Sequence, residues 1–187
     1  MANLEGSLGQ ILIGLGSNRA GQWGEPAEAL QRAVDEMRAA GVSVDAVSGI
    51  YLTAGVGSGQ PGDYVNAVIA ADAHLQPIAL LRLLKRLEAR AGKRSGCPWG
   101  PRPLDLDIID YKGVVRHWRQ PAPVQGSSHG LTLPHGLAHQ RPFVLKPLLD
   151  VAPQWRHPVL KLSARELWRT CGRESRGRIL EQLGRLR

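Results

Sequence analysis

From Leu104 to Ile108 the chain alternates strictly, Leu-Asp-Leu-Asp-Ile, a pattern that permits little besides a strand with one face in the core. Two-residue periodicity sends Leu104, Leu106 and Ile108 inward and places Asp105 and Asp107 together on the other face. Side-by-side carboxylates repel each other unless a cation lies between them. Hard oxygen donors of this kind suit magnesium, which is commonly held by one or two carboxylates plus substrate phosphates. An isolated D-x-D pair is more simply read as a solvated strand face. Here Arg102, a glycine-proline loop and the cluster Arg90, Lys93 and Arg94 supply countercharge for a polyanion, which favours a metal-assisted phosphate site. Gly92-Lys93 is followed by Arg94 instead of Ser or Thr, so a nucleotide is expected to be held without a P-loop.

The rest of the chain supplies the elements around this strand. Gln10 to Gly16 reads as a buried strand, and Arg19 stands where a dinucleotide fingerprint needs its third glycine. Pro26 opens a helix with Ala29, Leu30, Ala33, Val34 and Met37 on one face, and Gly41 ends it. Residues 42–53 read as a strand, 54–62 as a Gly/Ser/Pro loop, and Asp63 to Ala71 as a strand that puts Tyr64, Asn66 and Val68 on one face. Pro77 starts a second helix with Leu80, Leu84, Leu87 and Ala91 at helical spacing, stopped by Gly92. A loop over 93–103 precedes the strand Leu104 to Tyr111, and Lys112-Gly113 predicts a hairpin turn into Val114 to Trp118. The β-α-β-β-α-β order is the ferredoxin-like α+β signature, with an antiparallel sheet, and not a doubly wound sheet. A short helix near Phe143 to Leu149 and a basic helical extension from about Ser163 follow, with Arg165, Arg169, Arg173 and Arg176 expected on its solvated face.

A chain of 187 residues with 43% hydrophobic content suits one globular domain, here read as spanning 1–187. The longest apolar runs fall well short of the roughly 20 residues that span a bilayer, and no secretory pattern opens the chain. Cys97 and Cys171 form neither a CxxC pair nor a disulfide framework. These features predict a soluble, cytoplasmic monomer without a membrane partner. The net charge of +8 is uneven: residues 1–80 carry −5, 81–102 carry +6, 103–150 carry +1 and 151–187 carry +6.

Several motifs fall in an order that resembles the 6-hydroxymethyl-7,8-dihydropterin pyrophosphokinases of folate biosynthesis. They are Leu15-Gly-Ser-Asn18, Tyr51-Leu-Thr53, Asp63-Tyr-Val-Asn66, Leu87-Glu88, Trp99-Gly-Pro-Arg-x-Leu-Asp-Leu-Asp-Ile108, Leu131-Thr-Leu-Pro-His135 and Arg141-Pro-Phe143. The resemblance covers roughly residues 10–155 and leaves 156–187 as a basic extension. It implies transfer of pyrophosphate from ATP to the pterin hydroxymethyl group, with release of AMP. Asp105 and Asp107 match the pair that binds two Mg²⁺ ions bridging ATP phosphates. Asn66 matches the amide that reads the pterin ring, Thr53 begins the loop lining that pocket, and Tyr64 and Phe143 match the rings on either side of the pterin. Lys93, Arg94, Arg102, Ile108, Thr132, His135 and Arg141 match ATP-contacting positions, with Lys93 and Arg102 among the catalytic groups. Trp99 matches the loop tryptophan that closes over the pterin site. Glu88 matches a motif carboxylate to which no role is attached.

Departures from the pattern concentrate in the basic loop. Pro98 precedes the tryptophan where arginine is usual, the stretch between Lys93 and Trp99 is one residue short, and Lys93 replaces a bidentate arginine fork with a point charge. Gly130 also stands in place of a frequent arginine, and Gly136 in place of an aromatic. His135 and His139 are spaced like zinc ligands, but no third ligand stands out. His74, His117, His129 and His157 read as ordinary surface or turn residues, and Cys97 as a spectator thiol. The rival readings are a ferredoxin-like RNA-binding module and a noncatalytic assembly protein using the basic tail. An RNA-binding sheet needs stacking aromatics; here aromatic content is 5% and the RNP1-type string is missing. The charge of residues 81–102 is accounted for by a polyphosphate substrate, with no nucleic-acid partner.

Overall fold

The computed structural model describes residues 9–55, 62–93, 102–119, 130–171 and 177–187. Strand β1 (Ile11–Ser17) leads to α1 (Pro26–Ala39), β2 (Ser43–Val47), β3 (Gly49–Thr53), β4 (Tyr64–Asp72), α2 (Pro77–Arg90) and β5 (Asp105–Tyr111). A 3-10 turn (Ala138–Gln140), α3 (Pro142–Val151), α4 (Ala164–Thr170) and β6 (Ile179–Arg185) follow. The strands form an antiparallel sheet in the order β5-β1-β4-β3-β6, and β2 shares with β3 one edge of β4. This is the ferredoxin-like order read from the sequence, with one addition and two differences.

The stretch 42–53 is two strands, broken at Ser48. The Ser48 N–H donates to the Val68 carbonyl at 3.0 Å and its Oγ accepts the Val68 N–H at 2.9 Å, so one hydroxyl bridges the break. Alternation along β1 sends Ile11, Ile13 and Leu15 beneath α1 and α2, where they meet Leu30, Val34, Met37, Leu80, Leu84 and Leu87. Both helices begin at proline, in the first turn where its missing N–H leaves no bond unmade. On the opposite face Leu12, Val68, Ala70 and Ile109 lie under Leu145 and Leu148 of α3 and Leu167 of α4. That cover occupies part of the sheet face on which a ferredoxin-like RNA-binding domain would stack bases.

The expected hairpin strand over Val114 to Trp118 does not form. After Lys112 and Gly113, both at positive φ, Val114 and Val115 project into solvent, and the described residues of the segment make one isolated bridge, Arg116 to Leu133, before Trp118 packs against His157. β-Branched residues alone do not make a strand without a neighbouring ladder. The basic terminal helix is also shorter than expected. Arg165 and Arg169 are exposed on α4 as anticipated, but α4 stops at Thr170, and Arg173 and Arg176 lie outside the described residues. Ile179–Arg185 then forms β6 against β3. The spacing of Ile179, Leu180, Leu183 and Leu186 suits a helix, yet Gly184 (φ 155°) interrupts it and the open edge of β3 offers backbone partners. Leu186 is buried in the main core, and the Arg187 carbonyl accepts bonds from Gln31 and Arg38 of α1 at 3.1 and 2.9 Å. Among the described residues no helix is long and apolar enough to cross a membrane.

His157 corrects a further expectation, since it is a turn residue but completely buried. The N–H groups of Val159 and Leu160 donate to its Nδ1 at 3.2 and 3.1 Å, which places the proton of the neutral ring on Nε2. Its ring packs edge-on against Trp118, His139 and Trp155, with centroids 5.3–5.7 Å away. His157 Nε2, His139 Nδ1 and Trp118 Nε1 are buried with no hydrogen-bond partner among the described residues. Burial, and then the neighbouring His139, push the His157 pKa from 6.5 down to about 4. The unfolded chain therefore takes up this proton more readily than the folded one between those values. Stability from this group is full above about pH 6.5 and is lost as the pH falls toward 4, by about 3 kcal/mol over the whole window. Urea unfolding measured from pH 7 to 4.5 is expected to show this decline in the native chain and a flatter profile in His157→Gln.

Candidate active site

Backbone register builds the site. Gly16 of β1 lies opposite Asp105 of β5 on one side and Asn66 of β4 on the other, so all three belong to one row across the sheet. Directly paired residues share a face, which places Asp105 and Asn66 on the side away from α1 and α2, one glycine apart. A Cβ on Gly16 would stand 3.1 Å from Asn66 Oδ1 and 4.0 Å from the Asp105 Cβ, so the absence of a side chain keeps the floor between them open. Gly14, opposite Asp107 and Val68, continues that floor. Sequence reading weighed these glycines as a dinucleotide fingerprint and quoted Gly16 within the Leu15-Gly-Ser-Asn18 motif, but did not place them between Asn66 and the aspartates; the strand alternation that placed Asp105 outward applied to them equally.

Ser17 and Asn18 tie down the approach to the carboxylates. Ser17 Oγ donates to the Pro103 carbonyl at 2.8 Å, Asn18 Oδ1 accepts the Arg102 N–H at 2.8 Å, and the Asn18 N–H donates to the Arg102 carbonyl at 3.1 Å. Arg102 then points its guanidinium at Asp105 Oδ2, at 2.5 Å, while Lys93 Nζ reaches Asp105 Oδ1 at 2.6 Å. Burial alone would raise the Asp105 pKa, but Lys93 and then Arg102 bring it below the ordinary carboxylate value. Burial also works against the Lys93 ammonium; Asp105 and Glu88 outweigh it and hold its pKa above the ordinary lysine value.

Asp107 faces different neighbours. His135 Nε2 is 3.8 Å from its Oδ2, too long for a hydrogen bond, and the Leu137 N–H donates to His135 Nδ1 at 3.2 Å. Burial depresses the His135 pKa against the pull of Asp107, so the ring is neutral at pH 7. Arg141, the residue before α3, stands with its guanidinium carbon 5.5 Å from the centre of the Phe143 ring and within the field of both aspartates. Thr132 is half-buried in the segment leading to His135.

The other end of the row carries an amide. Asn66 Nδ2 donates to Thr53 Oγ1 at 2.7 Å, and both residues are buried. Tyr64, two residues away on the same face of β4, is half-buried; burial raises its phenol pKa, and Arg102, Asp105 and Lys93 all act on it. Phe143 is half-buried against the α3 side of the core.

Three of the residues named from the sequence lie outside the description, and two others face away from the aspartates. Ile108 is a core residue packed under the helices, so its side chain faces away from the aspartates and it has only backbone to offer there. His139 does not pair with His135 but turns toward Trp118 and His157. Arg94 and Trp99 lie outside the described residues, as does Cys97. Asp105 and Asp107 fit a hard divalent cation, being oxygen donors on one strand face with Asp105 already neutralised by two cationic groups. Among the described residues no three His, Cys, Asp or Glu side chains form a metal-holding group.

The family profile described as 7,8-dihydro-6-hydroxymethylpterin-pyrophosphokinase (HPPK) matches residues 12–153. A Synechocystis 2-amino-4-hydroxy-6-hydroxymethyldihydropteridine pyrophosphokinase is 36% identical over 148 residues, covering 79% of this chain and 68% of its own. The Pseudomonas aeruginosa protein of the same name is 35% identical, with 80% and 84% covered. A mitochondrial folate synthesis bifunctional protein of Pisum sativum is 35% identical over 76% of this chain, which spans only 25% of that protein. Plasmodium falciparum HPPK-DHPS, solved with pterin and p-hydroxybenzoate, superposes with a TM-score of 0.64 at 12% identity, covering 90% of this chain and 44% of that one. That last likeness speaks for the fold.

The double cationic hold on Asp105 is directly measurable. Carbonyl-detected NMR titration is expected to place its midpoint below that of an ordinary aspartate, and Lys93→Met or Arg102→Met should each move it upward.

Proposed function

The chain belongs to the 7,8-dihydro-6-hydroxymethylpterin-pyrophosphokinase family, and on that premise we propose that it transfers the pyrophosphoryl group of ATP to 6-hydroxymethyl-7,8-dihydropterin in folate synthesis. One observation carries this reading most directly: Asp105 and Asn66 flank Gly16 in a single row on one sheet face. Strands two apart are separated by about 10 Å, so a carboxylate suited to a polyphosphate-bound cation and an amide suited to a heterocycle edge lie one small substrate apart.

The pterin lies with its polar edge toward Asn66, whose side chain is fixed by its bond to Thr53 and so presents a set orientation. Tyr64 and Phe143 supply ring faces for the flat heterocycle. Its hydroxymethyl oxygen forms a bond to the β-phosphorus of ATP and gives up its proton to solvent, while the bond from that phosphorus to the α,β-bridging oxygen breaks and AMP leaves with that oxygen. Little covalent work falls to the protein; alignment and charge neutralisation carry the rate. Asp105 and Asp107 would hold Mg²⁺, two ions in this reading, and such ions neutralise phosphate charge when bound. Lys93 and Arg102, which rest on Asp105 in this structure, are the cations nearest to meet the phosphates when the carboxylate turns to metal. Arg141, with its guanidinium near Phe143, adds positive charge from the α3 side. Neutral His135 can donate its Nε2 proton to a phosphate oxygen without adding net charge.

The test is AMP formation from MgATP and reduced hydroxymethylpterin. Asp105→Asn and Asp107→Asn are each expected to lower kcat by at least about 100-fold while the protein stays folded. Near-normal turnover in either variant overturns the metal assignment, and absence of AMP with the native chain overturns the reaction.

A further inference from the structure

Strand β5 is an outer strand of the sheet, pairing with β1 on one side only. In that pairing Asp105 and Asp107 sit opposite Gly16 and Gly14, and the intervening Leu106 turns its peptide groups outward, away from β1. Two charged side chains of α2 meet them. Glu88 Oε1 accepts the Leu106 N–H at 2.7 Å, and Lys85 Nζ donates to the Leu106 carbonyl at 3.1 Å and to Glu88 Oε1 at 2.7 Å. The Lys85–Glu88 pair thus takes the place of a missing neighbour strand at the residue between the two aspartates. Glu88 is 2% exposed, and a carboxylate so deeply placed persists only when its lone pairs are filled. Its other oxygen, Oε2, accepts from Lys93 Nζ at 2.8 Å, and that ammonium is the one 2.6 Å from Asp105.

We propose that Glu88, assisted by Lys85, is a positioning residue that clasps the strand between the two aspartates and holds Lys93 at the site. The inference rests on the phosphoryl-transfer reading above. It adds an account of what happens to Lys93 when Asp105 exchanges its lysine contact for a metal ion. Shared between two carboxylates, Lys93 keeps the buried one and remains at the phosphate end; without Glu88 it has only Asp105 to hold it, and competes there with the ion. Asn66, Thr53 and Tyr64 lie across β1 from this clasp, on β3 and β4, so the effect belongs to the nucleotide side.

Three readouts test it on the full chain. In Glu88→Gln, calorimetric affinity for the magnesium complex of α,β-methylene-ATP is expected to fall about tenfold, the range seen when residues supporting a metal site are lost. The KM for MgATP should rise similarly, with the KM for pterin within about twofold. The Leu106 amide proton resonance should move upfield as its carboxylate acceptor becomes an amide. Lys85→Met, which changes an exposed residue, should speed Leu106 amide exchange and weaken nucleotide binding by a smaller factor; it keeps the test open if Glu88→Gln does not fold. Unchanged nucleotide affinity in a folded variant, or equal losses on the nucleotide and pterin sides, overturns the proposal. Should the native chain bind the nucleotide analogue yet release no AMP, the reaction falls, while affinity and the Leu106 resonance still decide the clasp.

Discussion

Everything at the site depends on β1 being hydrogen-bonded on both edges. Its antiparallel registers with β4 and β5 bring Asn66 and Asp105 to the two sides of Gly16, and neither residue reaches the other without that central strand. Because the side-chain period of a strand is two, slipping the β5 register by one residue would send the carboxylates into the helix-covered core, and slipping the β4 register would send Asn66 there. The apolar residues that bind β1 to α1 and α2 therefore also set which face carries the polar row. Core packing and site geometry are consequences of a single alternation.

Charge is placed by the same logic. Of the basic residues in 81–102, Lys85, Lys93 and Arg102 meet Glu88 and Asp105 in a chain of alternating sign, whereas Arg90, expected beside the phosphate site, pairs instead with Glu36 of α1. The basic excess of residues 151–187 has a different fate. Arg187 meets α1 through its backbone, and Arg165 and Arg169 face solvent on α4, so this charge belongs to the surface of a structural extension.

Much of this was legible in the sequence because it depends on local periodicity. The alternation of Leu104 to Ile108, the helical faces of α1 and α2, and the shared face of Tyr64 and Asn66 all follow from spacing. The motif resemblance added the residues after Tyr111, where His135 comes from irregular chain that carries no period and Arg141 and Phe143 from the start of α3. What stayed hidden depends on partners distant in sequence. Val114 and Val115 have strand propensity but no ladder, Ile179 to Leu186 has helical spacing but an open sheet edge beside it, and His157 is buried against Trp118 and His139 from other segments. Alternation also placed the Ile108 side chain inward, so any contact it makes on the aspartate side is through its backbone.

The last strand also changes how β3 ends. Thr53 pairs with Ile179, and the Ala54 N–H donates to the Arg178 carbonyl at 3.0 Å, so β3 leaves the sheet as an interior strand and not as a fraying edge. The carboxyl-terminal segment acts as a splint on the very residue whose Oγ1 accepts from Asn66. A hydroxyl carried on a strand laddered on both edges has its backbone entropy already spent, so it holds the Asn66 amide in one orientation. A segment far from the motifs in sequence thereby bears on how firmly the partner of Asn66 is held.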